Sequence, residues 1–141
     1  MNYFLKKNKG FSLLELLLAI AIFALGSVAM ATLLIDSNIV ARHSLERKEA
    51  LNCVKEGIEI TRSIKDNNWD DLEAGEHGID ITSDPIVFSG SSDTSCGKYT
   101  RVIGVEDVST TTKNVSVNVS WDLTPNRPIS ITLDTILYNW R

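Results

Sequence analysis

From Leu16 to Ile35 the chain runs for twenty residues without a charged side chain. At 1.5 Å of rise per residue, one helix of that length crosses a hydrocarbon core of roughly 30 Å. Lys6, Lys7 and Lys9 precede the run, so the positive-inside rule predicts a cytoplasmic amino terminus and places everything after Asp36 on the far side. No helix breaker follows. Residues 36–66 contain no proline, and Leu51, Val54, Ile58, Thr61 and Ile64 recur at helical spacing with Lys48, Glu49, Asn52, Lys55, Glu56, Glu59 and Arg62 on the other faces. The pattern predicts one continuous helix, spanning a membrane over residues 11–35 and amphipathic over 36–66, that ends at Asn67-Asn68. The stripe is too short for a sustained heptad array, so its cover is expected from the chain's own fold. Gly57 costs about 1 kcal/mol inside a helix; it marks either close packing or simple tolerance.

The pattern then changes. Residues 67–97 read as an acidic connecting loop carrying Asp70, Asp71, Glu73, Glu76, Asp80 and Asp84, with Gly75 and Gly78 as turn residues and Trp69 and Leu72 as apolar anchors. Ile86 to Phe88 has the composition of a short strand. Residues 98–141 switch to a period of two: Val115, Val117, Val119 and Trp121 alternate with Ser116, Asn118 and Ser120, and Ile129, Ile131 and Leu133 alternate with Ser130, Thr132 and Asp134. With Tyr99 to Val105 these make an antiparallel meander whose apolar face matches the helix stripe. The expected class is α+β, a long amino-terminal helix packed on a carboxy-terminal antiparallel sheet.

Glu15 is the exception within the apolar stretch. A carboxylate at mid-bilayer costs roughly 2.5–3.5 kcal/mol on insertion scales, so such residues usually have a partner and a role. No cation in the run itself can pair with it. Cleavage between Gly10 and Phe11 would create an α-amine one helical turn away, suited to an ion pair on this chain or a neighbour. In these residues, basic Lys6-Lys7-Lys9, then Gly10, Phe11, Ser12, Glu15 and an uninterrupted apolar helix, the chain resembles the type IV pilin-like superfamily of type IV pilins, minor pilins and type II secretion pseudopilins. The resemblance covers roughly residues 6 to 35. It implies a leader of residues 1–10 removed by a membrane prepilin peptidase, methylation of the Phe11 nitrogen, and an assembly role for Glu15. It also implies incorporation with other pilin or pseudopilin subunits by an inner-membrane assembly platform, into an extracellular or periplasmic filament. One departure is visible: the run has no proline, and only Gly26-Ser27 offers a weak point.

Two other readings explain the amino terminus less well. A secretory signal peptide cut after Ala29-Met30-Ala31 leaves Glu15 and the further run through Leu33, Leu34 and Ile35 unexplained. A plain anchor holding an extracellular binding module that never polymerises also gives Glu15 no role.

Composition narrows the chemistry further. The formal charge is −4, and loss of the three leader lysines takes it to −7, a poor balance for general nucleic-acid binding. Cys53 and Cys96 are the only cysteines, both on the exported side, and a disulfide between them is expected in an oxidising compartment, with two free thiols as the other reading. No cofactor is expected. The acidic stretch matches no EF-hand spacing, so Ca²⁺ binding there is the lesser reading, and His43 and His77 are too isolated for a zinc site. The Asn114-Val115-Ser116 and Asn118-Val119-Ser120 sequons fall on a strand whose alternation explains them without sugar. No nucleotide-binding, metal-ligating or nucleophile motif is present, and an enzyme is not expected.

Overall fold

In a computed structural model, which describes residues 12–125 and 127–140, the elements are one long helix, α1 (Leu13–Asn67), a 3-10 turn (Trp69–Asp71) and five strands. The strands are β1 (Gly75–Asp80), β2 (Val87–Ser89), β3 (Thr100–Ser109), β4 (Thr112–Thr124) and β5 (Arg127–Tyr138). The fold is α+β, with a single antiparallel sheet in the order β2-β1-β3-β4-β5. Two compact units divide the chain, residues 1–42 and 43–141, and α1 contributes to each.

Within the first unit every described residue is exposed. Helix formation begins where the Ser12 carbonyl accepts from the backbone N–H groups of Glu15 (2.9 Å) and Leu16 (3.2 Å). The few polar side chains that follow bond to their own helix. Ser27 Oγ donates to the Phe23 carbonyl at 2.8 Å, Thr32 Oγ1 to Ala29 at 2.9 Å and Asn38 Nδ2 to Leu34 at 2.9 Å. Side chains so satisfied cost less in an apolar surround.

The second unit holds the core. The helix buries Ala50, Cys53, Val54, Gly57, Ile58, Thr61 and Ile64. Opposite them lie the inward positions of β3 (Ile103, Val105) and β4 (Val115, Val117, Val119, Trp121), with Leu72, Ile79, Tyr99 and Leu137 closing the margins. Register explains the fit, since Val117 pairs with Ile103 on one side and Leu133 on the other, so three aliphatic side chains form one inward row. Thr61 is fully buried without penalty because its hydroxyl donates to the Gly57 carbonyl at 2.8 Å.

Small residues set the helix-to-sheet distance. A Cβ built on Gly57 would lie 2.9 Å from Val117 Cγ1 and 3.1 Å from Arg101 Cδ, so this glycine is a point of close packing. The buried stripe is therefore centred on Ala50, Cys53, Val54 and Gly57, whereas Leu51, expected within it, is only half-buried at the flank.

Residues 67–97 also differ from the expected connecting loop. They contain the 3-10 turn, β1 and β2, which bring the sheet to five strands. Asn68 caps the turn by accepting from the Asp70 N–H. β1 carries a single buried aliphatic, Ile79, and is held by backbone pairing on both sides: Gly75–His77 against β3 and Gly78–Asp80 against β2. The short strand expected at Ile86 to Phe88 lies at Val87–Ser89. Gly78 is required there, because a Cβ would sit 2.4 Å from the Ser92 carbonyl oxygen.

Replacing Gly57 with leucine should lower stability by about 1–3 kcal/mol through overpacking against Val117 and Arg101. Urea unfolding of the detergent-solubilised protein checks this, and an unchanged midpoint would contradict the close approach.

Candidate processing and assembly segment

The expected cleavage pair Gly10 and Phe11, and the leader lysines Lys6, Lys7 and Lys9, lie outside the described residues. Glu15 is described. It sits in the first turn of α1, where a negative side chain also complements the partial positive charge of a helix amino terminus. The segment that follows is uniformly apolar on all sides: Leu13 and Phe23 are each 76 % exposed, and the mean hydropathy of its most apolar window reaches 2.5. That helix is long and apolar enough to cross a membrane. A helix apolar all round is stable only where its surround is equally apolar, in lipid or among other such helices.

Residues 43–141 have their own organising site, at the disulfide. Cys53 and Cys96 are bonded, with Cα atoms 6.1 Å apart, tying α1 to the segment before β3 and closing a 43-residue separation. In the chain-entropy treatment a loop of that size is worth about 4 kcal/mol. Beside it lies Arg101, fully buried. Its guanidinium forms a two-point contact with Asp93, Nε to Oδ2 at 3.1 Å and Nη2 to Oδ1 at 3.0 Å. Nη2 also donates to Ser95 Oγ at 2.7 Å, Nη1 to the Cys53 carbonyl at 3.4 Å, and Glu56 stands 3.9 Å away. Asp93 accepts in addition from the backbone N–H groups of Ile79 and Ser95, both at 3.1 Å, and from the Ser95 hydroxyl. Reciprocal backbone bonds between Asp93 and Arg101, at 2.8 and 2.9 Å, fix the pair.

Burial by itself pushes the Asp93 carboxyl up, but the bonds from Arg101 and Ser95 outweigh it and hold the group below the ordinary carboxylate value. Sequence reading missed this network. Its one signal is parity: Arg101 shares the inward face of β3 with Ile103 and Val105.

A second polar group ties α1 to the start of β3. Lys98 Nζ donates to Glu46 Oε1 at 2.6 Å, and the Tyr99 hydroxyl lies 2.8 Å from Glu49 Oε2 and 3.0 Å from the Glu46 carbonyl. Desolvation, then the Glu49 carboxylate, push the Tyr99 hydroxyl well above its ordinary pKa. His43 sits 3.6 Å from Glu46, and His77 stacks on Phe88 with ring centroids 4.6 Å apart. Among the described residues no three His, Cys, Asp or Glu side chains converge in a metal-holding arrangement. Asp80, in the acidic stretch, instead accepts from the hydroxyl and N–H of Thr82, which lower its pKa.

An apolar amino-terminal helix with an acid in its first turn continues into an α+β unit, a pilin-like arrangement. Residues 5–31 match the family model described as the prokaryotic N-terminal methylation motif, the type IV pilin signal, and this supports a type IV pilin or pseudopilin precursor. No curated protein and no solved structure matches the chain.

Because the folded-state pKa of Asp93 is depressed, its contribution to stability is present above the ordinary carboxylate range and is lost as pH falls through that range and below. Asp93→Asn should destabilise by about 3–5 kcal/mol at pH 7, since it strands a buried guanidinium. The gap to wild type should narrow as the pH drops below about 4. Thermal melts of both proteins between pH 7 and 3 test the sign, and a gap that widens in acid would contradict it.

Proposed function

We propose that the chain is a structural subunit of a type IV pilus or of a secretion pseudopilus, and not an enzyme. In this reading it is inserted with its amino terminus inside, cut after Gly10 by a prepilin peptidase, and methylated on Phe11. It stays in the cytoplasmic membrane, with residues 43–141 outside, until an assembly platform draws it into a filament with other subunits.

The observation that carries this is the methylation motif at residues 5–31, which overlaps a helix segment whose apolar side chains have no cover among the described residues of the chain. In a filament, such segments exchange lipid for one another with little change in polarity. Glu15 then supplies register. Paired with the Phe11 amine of a neighbour, both charges are satisfied in an apolar surround, where either alone would be costly.

Sequencing the mature protein by mass spectrometry should find methylated Phe11 as its first residue. A protein that still begins at Met1, or begins at Thr32, would overturn the reading. Glu15→Ala should still be cut after Gly10 yet enter filaments at least about tenfold less than wild type, as expected for a lost buried pair. Quantitative immunoblotting of sheared filaments checks it, and normal incorporation would remove the pairing role.

A further inference from the structure

The disulfide has one open side. A shallow hollow of about 260 Å³ lies against it, lined by Glu49, Asn52 and Glu56 of α1, by Tyr99 and by both cysteines. The two cysteines are not equally open to it. Cys53 is 3 % exposed and belongs to the helix–sheet core, whereas Cys96 is only partly buried, in the segment before β3. Thiol–disulfide exchange is an in-line substitution, in which the incoming thiolate approaches one sulfur from the side opposite the sulfur it displaces. For attack on Cys53 that path runs through the packed core. For attack on Cys96 it starts at the surface.

Charge restricts what arrives. Glu49 and Glu56 lie about one turn before and one turn after Cys53, and both are exposed, so two carboxylates border the hollow. Glu49 accepts from the Tyr99 hydroxyl at 2.8 Å, and Glu56 stands 3.9 Å from Arg101. The cations close by are engaged elsewhere, Lys98 with Glu46 at 2.6 Å and Arg101 with Asp93 at 3.0 Å. Lys48 and Lys55 do not border the hollow. Polar contacts also hold Cys96 in place without the covalent bond: on one side Ser95 accepts from Arg101 at 2.7 Å, and on the other the Tyr99 hydroxyl reaches the Glu46 carbonyl at 3.0 Å.

We infer that Cys96 is the exchange sulfur of this disulfide and Cys53 the resolving one, and that the co-reactant is a thiol or disulfide whose reacting sulfur is set among neutral or basic groups. On closure, the Cys96 thiolate attacks a disulfide of the co-reactant and displaces one of its thiolates. The Cys53 thiolate then attacks Cys96 Sγ and releases the second. The two cysteines lose two electrons and two protons, and the co-reactant gains both as a pair of thiols. Opening is the reverse, with an incoming thiolate bonding to Cys96 Sγ and Cys53 leaving. This holds whether or not the chain enters a filament.

The test uses the folded, oxidised full-length protein in detergent. After a brief pulse of 2-mercaptoethanol, an acid quench and peptide mass mapping, at least about nine-tenths of the mixed disulfide should sit on Cys96. An equal division between the two cysteines, or an excess on Cys53, would overturn the assignment. Charge is read from a pair of thiols compared at equal thiolate concentration and low ionic strength. Cysteamine should open the bond at least about threefold faster than mercaptoacetate, beyond their ratio on hydroxyethyl disulfide. Glu56→Gln should cut that excess by about half, and about 1 M salt should remove it. Equal normalised rates on the wild-type protein would overturn the charge requirement, as would an excess that survives the salt.

Discussion

An apolar helix surface must be covered, and the two parts of α1 meet that requirement differently. Over residues 43–67 one face is apolar and the sheet covers it, with Val54, Gly57 and Thr61 pressed on β3 and β4. Over residues 13–35 every face is apolar, and the described residues of the chain leave all of it exposed. No sheet can cover a helix on all sides; only lipid or a ring of similar helices does. Residues 12–31 of the matched methylation motif belong to this uncovered part.

Within residues 43–141 the corresponding constraint is electrostatic. A buried arginine is a liability unless its donors are met. Arg101 meets them with one carboxylate, one hydroxyl and one backbone carbonyl. Asp93 and Ser95 bring in the segment before β3, and Asp93 also bonds the N–H of Ile79 on β1. The Cys53 carbonyl is the helix residue that bears the disulfide. The covalent link and the ion pair therefore fasten the same segment to the same helix turn, and the small side chain at Gly57 lets Arg101 lie between helix and sheet.

Much of this was legible in the sequence where a repeating pattern carries it. Val54, Ile58, Thr61 and Ile64 announced the packed helix face, and the alternation through Val115, Val117 and Val119 announced the inward face of β4. Leu51 misled because hydrophobicity alone ranks it above Ala50 and Gly57, whereas close approach selects the smaller residues for the centre of the contact. β1 was illegible because Gly75 to Asp80 has one buried aliphatic, and neighbours that are distant in sequence supply its hydrogen bonds. Arg101 escaped notice for a related reason: a charged residue at an inward position looks like a break in the pattern until its partners are known. Gly10, Phe11 and the leader lysines were legible only as a motif. On the proposed reading their role depends on an enzyme that reads the sequence.

The polar side chains within the apolar helix separate strength from specificity on the proposed reading. Ser27, Thr32 and Asn38 each bond a carbonyl one turn back, so they present little unmet hydrogen bonding to lipid or to a neighbouring helix. Moving this segment between the two surrounds changes few polar contacts, and the gain from packing is spread over many similar side chains that distinguish poorly between registers. A carboxylate behaves differently, because its cost in an apolar surround falls sharply only when a cation is in contact. Glu15 is the one charged side chain between Leu13 and Ile35, so electrostatics can discriminate between registers in the filament core at one position per subunit. Further discrimination has to come from the exported unit, where the charges are numerous and unevenly distributed.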